Sequence, residues 1–390
     1  MIVGRRALLG LLGTAALALD PARARAASGG PFPRSPREAE RLRRRVAVPA
    51  LTAGWNGPEG PEETCAGLRM AGASASVEPG DCWHWGSITK PATATLIARA
   101  VEAGELAWDE PLAARLGPLL PRASASRWHP QWRGLTLLHL LSHRSGFARL
   151  DNDPEMDAFP PEEADPRASR LALTALTLAR PPEAVPGARF IYSNRNYIVA
   201  AAMLEAATGR PWEDLMRERL FAPLAMEGAG FGPPELFPAL PDPNEADPHE
   251  ADPGTPAPFS PLQPVGHAWW PGQRGVPHPP GVPPQDNPAV AGPAARLHAP
   301  MAAMIRFLEA HRTRAPLLRP ATWDRLHTPP FGGPYALGWV VRGDGSLWHD
   351  GSNNLWTAQV RITGSGSRAL ATNWGDHTRL AAPLETALDS

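Results

Sequence analysis

The sequence has almost no lysine. Lys90 is the single lysine among 38 lysine and arginine residues, so arginine carries every other side-chain positive charge of that class. A guanidinium stays protonated at any accessible pH, whereas an ammonium loses its proton when desolvated and then serves as a base. That scarcity marks Lys90 as a candidate functional group before any motif is considered. Cysteine is scarce as well: the two present, Cys65 and Cys82, form no metal-binding or Cys-x-x-Cys redox pattern. Acidic and basic residues are mixed and the formal net charge is −1, which removes the basic block that a nucleic-acid partner would require. No apolar run reaches the roughly 20 residues that cross a bilayer as a helix. The Gly-x-Ser-x-Gly elbow of the α/β-hydrolases is also missing.

What remains is the composition of a globular chain. A length of 390 residues, 43% hydrophobic and 20% charged, allows one large or two interleaved domains with a substantial core. Residues 1–27 have the plan of an export signal: Arg5-Arg6, an apolar run from Ala7 to Leu19, and small residues around Ala24-Arg25-Ala26. The paired arginines, with Arg23 and Arg25 beyond the run, favour twin-arginine export over the general route. The expected location is therefore periplasmic or secreted, with no membrane segment after cleavage. In an oxidising compartment the cysteine pair predicts a Cys65–Cys82 disulfide, worth about 3 kcal/mol in the loop-entropy model.

Ser35-Pro36-Arg37-Glu38 has the cap, first-turn proline and reciprocal glutamate of a helix start, predicting a short helix to about Arg45. Apolar segments at 46–55, 66–71 and 82–85 read as strands, and a helix is expected over 88–103, stopping at Gly104. From Leu106 to Met226 the pattern is mainly helical, near 135–143, 168–179, 197–207 and 212–220. Strands return at 337–341, 347–349, 356–362 and 368–373, joined by glycine-rich turns as an antiparallel meander, and a last helix is expected over 378–388. The predicted class is α+β: one antiparallel sheet built from residues 28–105 and 289–390, flanked by helices, with a mainly helical domain inserted at 106–288. Residues 232–288 form a proline-rich loop in which Gly266-His267-Ala268-Trp269-Trp270 is apolar enough to pack.

Ser87 stands where strand gives way to helix, three residues ahead of Lys90, which on a helical turn places hydroxyl and amine on one face. A serine hydroxyl becomes a useful nucleophile when a neighbouring base takes its proton. His139 and His143 are four apart, but without the glutamate of a zinc-binding helix and among leucines they read as packing, so no metal is expected.

Four segments in order carry a resemblance: Ser87-Ile88-Thr89-Lys90, Leu138-His139-Leu140-Leu141-Ser142-His143-Arg144-Ser145-Gly146, Tyr192-Ser193-Asn194, and His349-Asp350-Gly351-Ser352. Together they resemble the landmarks of the class C serine β-lactamase-like family, which includes penicillin-binding proteins and esterases. The resemblance implies a β-lactamase/transpeptidase-like fold and a serine hydrolase without cofactor, acting on a small-molecule or peptide substrate. It implies Ser87 as acyl-accepting nucleophile, Lys90 as base and Tyr192 as proton relay. Asn194 would hold the substrate amide or carbonyl, and His349, Gly351 and Ser352 would line the substrate strand, with the Ser87 and Ser352 N–H groups as oxyanion hole. Where many β-lactamases have Lys-Thr-Gly, this chain has His349-Asp350-Gly351, similar to related esterases and D-amino-acid peptidases. An ester or amide hydrolase is thus expected ahead of a β-lactamase, a D,D-peptidase or a non-catalytic penicillin-receptor-like sensor.

Overall fold

The computed structural model describes residues 30–120, 128–150, 153–234, 261–270, 272, 274–279 and 286–390. The predicted export segment and much of the proline-rich loop lie outside the described residues.

The first helix, Pro36–Val46, begins as its sequence dictates. The Ser35 side chain accepts from the Glu38 N–H, the Glu38 carboxylate accepts from Ser35 Oγ, and Ala47 closes the helix in the left-handed region at φ 49°. Two strands follow as a hairpin, β1 (Ala50–Gly57) and β2 (Gly60–Gly67). Their partners come from the far end of the chain: β6 (Val340–Val341), β7 (Leu347–Ser352), β8 (Thr357–Thr363) and β9 (Gly366–Thr372). They form one antiparallel six-stranded sheet of order β2-β1-β9-β8-β7-β6, closed where Ala53 of β1 faces Leu370 of β9. Residues 50–55 of β1 are buried throughout, because helices cover both faces. Leu51 and Ala53 face Leu42, Leu380 and Leu384 of the Pro36–Val46 and His377–Asp389 helices, and the other face packs on Met301–Thr313.

The segment predicted as a strand at 82–85 forms one, but not in this sheet. β3 (Cys82–His84) pairs with β5 (Leu297–Pro300), which also pairs with the two-residue β4 (Gly230–Phe231). Pairing with β5 satisfies the short backbone just before the turn that carries Ser87, and the Trp85 N–H donates to the Leu297 carbonyl at 2.8 Å. Helices Met301–Thr313 and Pro320–His327 were not expected from the sequence pattern; the first is buried on most sides, so its polar stripe is weak. The apolar 266–270 segment does pack: the His267 N–H donates to the Leu355 and Asn373 carbonyls, and Ala268 is buried.

The Cys65–Cys82 disulfide is not formed. Cys65 belongs to the six-stranded sheet and its thiol donates to the Val77 carbonyl, while Cys82 belongs to the smaller sheet and donates to the Gly228 carbonyl. Separate sheets aim the two thiols at different carbonyls. Burial first, then nearby carboxylates, pushes each thiol up to about 12, so both are poor nucleophiles.

Candidate active site

Ser87 sits in a tight turn, Gly86–Ile88, between β3 and the Thr89–Glu102 helix. That helix is buried on nearly every side, and its first turn carries Lys90 into the interior while Ser87 stays partly exposed. Lys90 Nζ lies 2.9 Å from Ser87 Oγ, 2.8 Å from Asn194 Oδ1 and 3.0 Å from the Ala294 carbonyl oxygen. All three neighbours are oxygens that accept from the amine; in the neutral form, N–H groups given to Asn194 and Ala294 leave a lone pair for the Ser87 hydroxyl. Lys90 is wholly buried, and burial holds its pKa well below the ordinary value, opposed by the charge of Asp350.

Asn194 opens the Asn194–Thr208 helix, and Tyr192 lies just ahead of the Ser193 cap. The Tyr192 ring centroid is 4.7 Å from the Lys90 amine. Burial raises the Tyr192 pKa above its ordinary range, against the pull of its hydrogen bond with Ser87 and of the Arg149 charge, so it remains a phenol. The chain has only three tyrosines, and all of them gather here. His143 is at their centre, with ring centroids 4.3 Å from Tyr192, 5.4 Å from Tyr197 and 4.9 Å from Tyr335.

His143 follows the short Leu137–Leu141 helix in a left-handed conformation, φ 55°, and is completely buried. Its Nδ1 accepts from the Ser193 N–H at 3.3 Å and from Asn196 Nδ2 at 3.0 Å. Burial holds it well below its ordinary pKa, so it is a neutral acceptor that fixes the Tyr192–Asn194 segment. It packs, as the sequence implied, but within the site. His139 has a different task, capping its own helix through Thr136. Among the described residues no group of three or more His, Cys, Asp and Glu side chains is placed to hold a metal.

The remaining wall is β7. Gly351 approaches the Ser87 turn so closely that a Cβ there would lie 2.0 Å from the Trp85 carbonyl oxygen and 2.7 Å from the Ser87 nitrogen. A Cβ on Gly86, which has φ 52°, would lie 2.3 Å from the Ser352 nitrogen. Glycine at both positions lets the backbones that carry the Ser87 and Ser352 N–H groups approach this closely. The Ser352 hydroxyl is turned away and donates to the Trp356 carbonyl.

His349 is not presented as a substrate contact. It is buried, its Nδ1 meets the Asp350 carbonyl and its Nε2 accepts from the Tyr335 hydroxyl at 3.1 Å. Burial lowers it to about 4, so it is neutral. The partly open charge on β7 is Asp350, whose Oδ2 lies 2.6 Å from His377 Nε2. Burial favours the neutral acid, yet His377 keeps the Asp350 pKa below its ordinary value; burial also disfavours the imidazolium, yet Asp350 raises that of His377. Sequence reasoning did not connect His377 to the site, because the partners are 27 positions apart and meet only when the last helix docks on the sheet.

Residues 49–373 match the family described as Beta-lactamase. The chain belongs to the beta-lactamase family. Among curated relatives of this beta-lactamase-family chain, Penicillin-binding protein 4 of Amycolatopsis lactamdurans is 30% identical over 166 residues, 42% of this chain and 40% of that protein. Esterase EstB of Burkholderia gladioli is 30% identical over 166 residues, 37% of each chain. The match thus spans well under half the length of these two relatives. The D-amino acid amidase of Ochrobactrum anthropi SV3, solved with D-phenylalanine, shares the fold at a TM-score of 0.64 and 19% identity, covering 90% of this chain and 97% of its own. The antiparallel sheet flanked by helices is accordingly the β-lactamase/transpeptidase-like fold that the motifs implied.

Proposed function

We propose that this beta-lactamase-family hydrolase cleaves an ester or amide through an acyl-enzyme on Ser87, and that it acts after export. The observation that carries the reading is the wholly buried Lys90 amine, held by Asn194 Oδ1 and the Ala294 carbonyl at 2.9 Å from Ser87 Oγ. In the first half-reaction Ser87 Oγ attacks the substrate carbonyl and its proton passes to Lys90 Nζ. The oxyanion is met by the adjacent Ser87 and Ser352 N–H groups. Collapse breaks the bond to the leaving group, which takes a proton from the Tyr192 hydroxyl while Lys90 reprotonates the tyrosine. Water then attacks the acyl ester, giving its proton back through the same pair, and releases the acid and Ser87.

Asn194 is placed to serve both the Lys90 amine and a substrate amide or carbonyl, since its side chain has a donor as well as the oxygen Lys90 uses. The character of β7 favours uncharged or amine-bearing substrates over anionic ones. His349 is neutral and engaged with Tyr335, and the neighbouring carboxylate, Asp350, is partly buried and paired with His377. A substrate carboxylate would find no cation at position 349. Export is proposed on the N-terminal pattern alone.

A panel of p-nitrophenyl esters, nitrocefin and D-Ala-D-Ala peptides tests the reading. Expected are a burst followed by steady turnover of short-chain esters faster than nitrocefin, and loss of fluorophosphonate labelling in Ser87→Ala. A burst with no turnover on every substrate would make the chain a penicillin-receptor-like sensor, and a marked preference for nitrocefin would make it a β-lactamase. Edman sequencing of protein recovered from the periplasm tests export; an intact residue 1–27 segment on soluble cytoplasmic protein would refute it.

A further inference from the structure

The strand before the nucleophile ends in a buried histidine that the mechanism above does not use. His84 Nδ1 accepts the Gly86 N–H at 3.0 Å, so in the neutral ring the proton sits on Nε2, which faces Asp286 Oδ2 at 3.0 Å. Asp286 lies at the end of the proline-rich stretch and its side chain is 3% exposed. Its Oδ1 accepts from Asn353 Nδ2 at 2.9 Å and from the Asn287 N–H at 2.7 Å. Asn353 in turn uses Oδ1 to accept the Leu355 and Trp356 N–H groups at 3.2 and 3.1 Å, which shapes the turn after Ser352. Arg296 Nε, 3.4 Å from Oδ2, balances the charge.

Every group around Asp286 is a donor: the His84 ring, the Asn353 amide, the Asn287 N–H and the Arg296 guanidinium. An acceptor-only side chain with two equivalent oxygens is what such a set demands, and only an ionised carboxylate provides it. The carboxylate therefore reaches two segments at once. Through His84 it holds Gly86, the residue before the nucleophile, and through Asn353 it holds the residue after Ser352. These are the two backbones that Gly86 and Gly351 bring into contact.

We propose that Asp286 is a positioning residue for the oxyanion hole, setting through His84 and Asn353 the distance and angle between the Ser87 and Ser352 N–H groups. The proposal rests on the acyl-enzyme reading of Ser87. A part of the chain that reads in sequence as a proline-rich excursion thereby supplies a determinant of rate. Asp286 touches no substrate, so its effect belongs to the transition state and not to substrate affinity.

The test compares Asp286→Asn with wild type in four measurements: kcat and KM for a p-nitrophenyl ester, the Ser87 phosphonylation rate, affinity for phenylboronic acid, and the melting temperature. The boronate mimics the tetrahedral oxyanion. Expected is a fall of about 10²-fold in kcat, as for loss of one oxyanion donor. A parallel loss of phosphonylation rate and boronate affinity should accompany it, with KM changed less than threefold. A folded variant with kcat within threefold of wild type, or one whose loss lies in KM with boronate affinity intact, would overturn the proposal. If Asp286→Asn does not fold, Asn353→Ala, which releases only the second wall, is read by the same four measurements and decides in the same way. Wild-type protein that neither turns over esters nor labels at Ser87 would instead refute the function on which the proposal stands.

Discussion

Replacing Lys90 by arginine keeps a long basic side chain and removes only the ability to become neutral. In the folded protein the amine is wholly buried and its neighbours are Ser87 Oγ, Asn194 Oδ1 and the Ala294 carbonyl. A guanidinium in that space stays charged and has no lone pair to offer Ser87. General-base assistance is worth about 10² to 10⁴ in rate. Lys90→Arg should therefore lower kcat/KM for a p-nitrophenyl ester by about 10³-fold, which corresponds to about 4 kcal/mol of transition-state stabilisation. The same argument sets the pH profile. A base works when deprotonated, so kcat/KM rises as pH rises through the Lys90 pKa and falls away below it. Asp350 is the charge that opposes the burial effect on Lys90, so Asp350→Asn should depress that pKa further and move the ascending limb to lower pH. Because Lys90 is the sole lysine, carbon-13 reductive methylation reports its titration directly, with the unfolded labelled chain as reference. Lys90→Arg activity within tenfold of wild type, or a folded-state pKa at or above the unfolded reference, would refute the reasoning and leave Lys90 as an electrostatic partner.

Tyr192→Phe should retain the acylation burst on activated esters and slow steady turnover by about 10²-fold or more, because the phenol relays protons that activated leaving groups do not need; equal loss in both phases, by stopped-flow absorbance, would contradict this. Gly351→Ala should abolish phosphonylation and lower stability by about 1–3 kcal/mol, since the new Cβ meets backbone and not a flexible side chain; an active, equally stable variant in thermal melts would show that the strand and the nucleophile turn separate easily. Cys65 and Cys82 should alkylate slowly while folded and both react fast after denaturation without reductant, as expected of separate half-buried thiols with raised pKa; protection that persists in denaturant until reduction would restore the disulfide.

What the sequence determined by itself is what short-range geometry can encode. The spacing of Ser87 and Lys90 places both groups on adjacent turns whatever the rest of the chain does, and the Ser35-Pro36-Arg37-Glu38 cap starts its helix from local hydrogen bonds alone. The apolar segments at 46–55, 356–362 and 368–373 likewise announce strands before their partners are known. The tertiary structure decided everything that depends on which segments meet. Pairing with 297–300 takes Cys82–His84 out of the main sheet, and that separates Cys82 from Cys65. Docking of the last helix brings His377 to Asp350, and the Asp286 carboxylate joins His84 to Asn353. Burial, also a tertiary property, is what lowers the Lys90 pKa and keeps His349 neutral. Model-compound pKa values are set by water, and a sequence does not state which side chains the fold will remove from it.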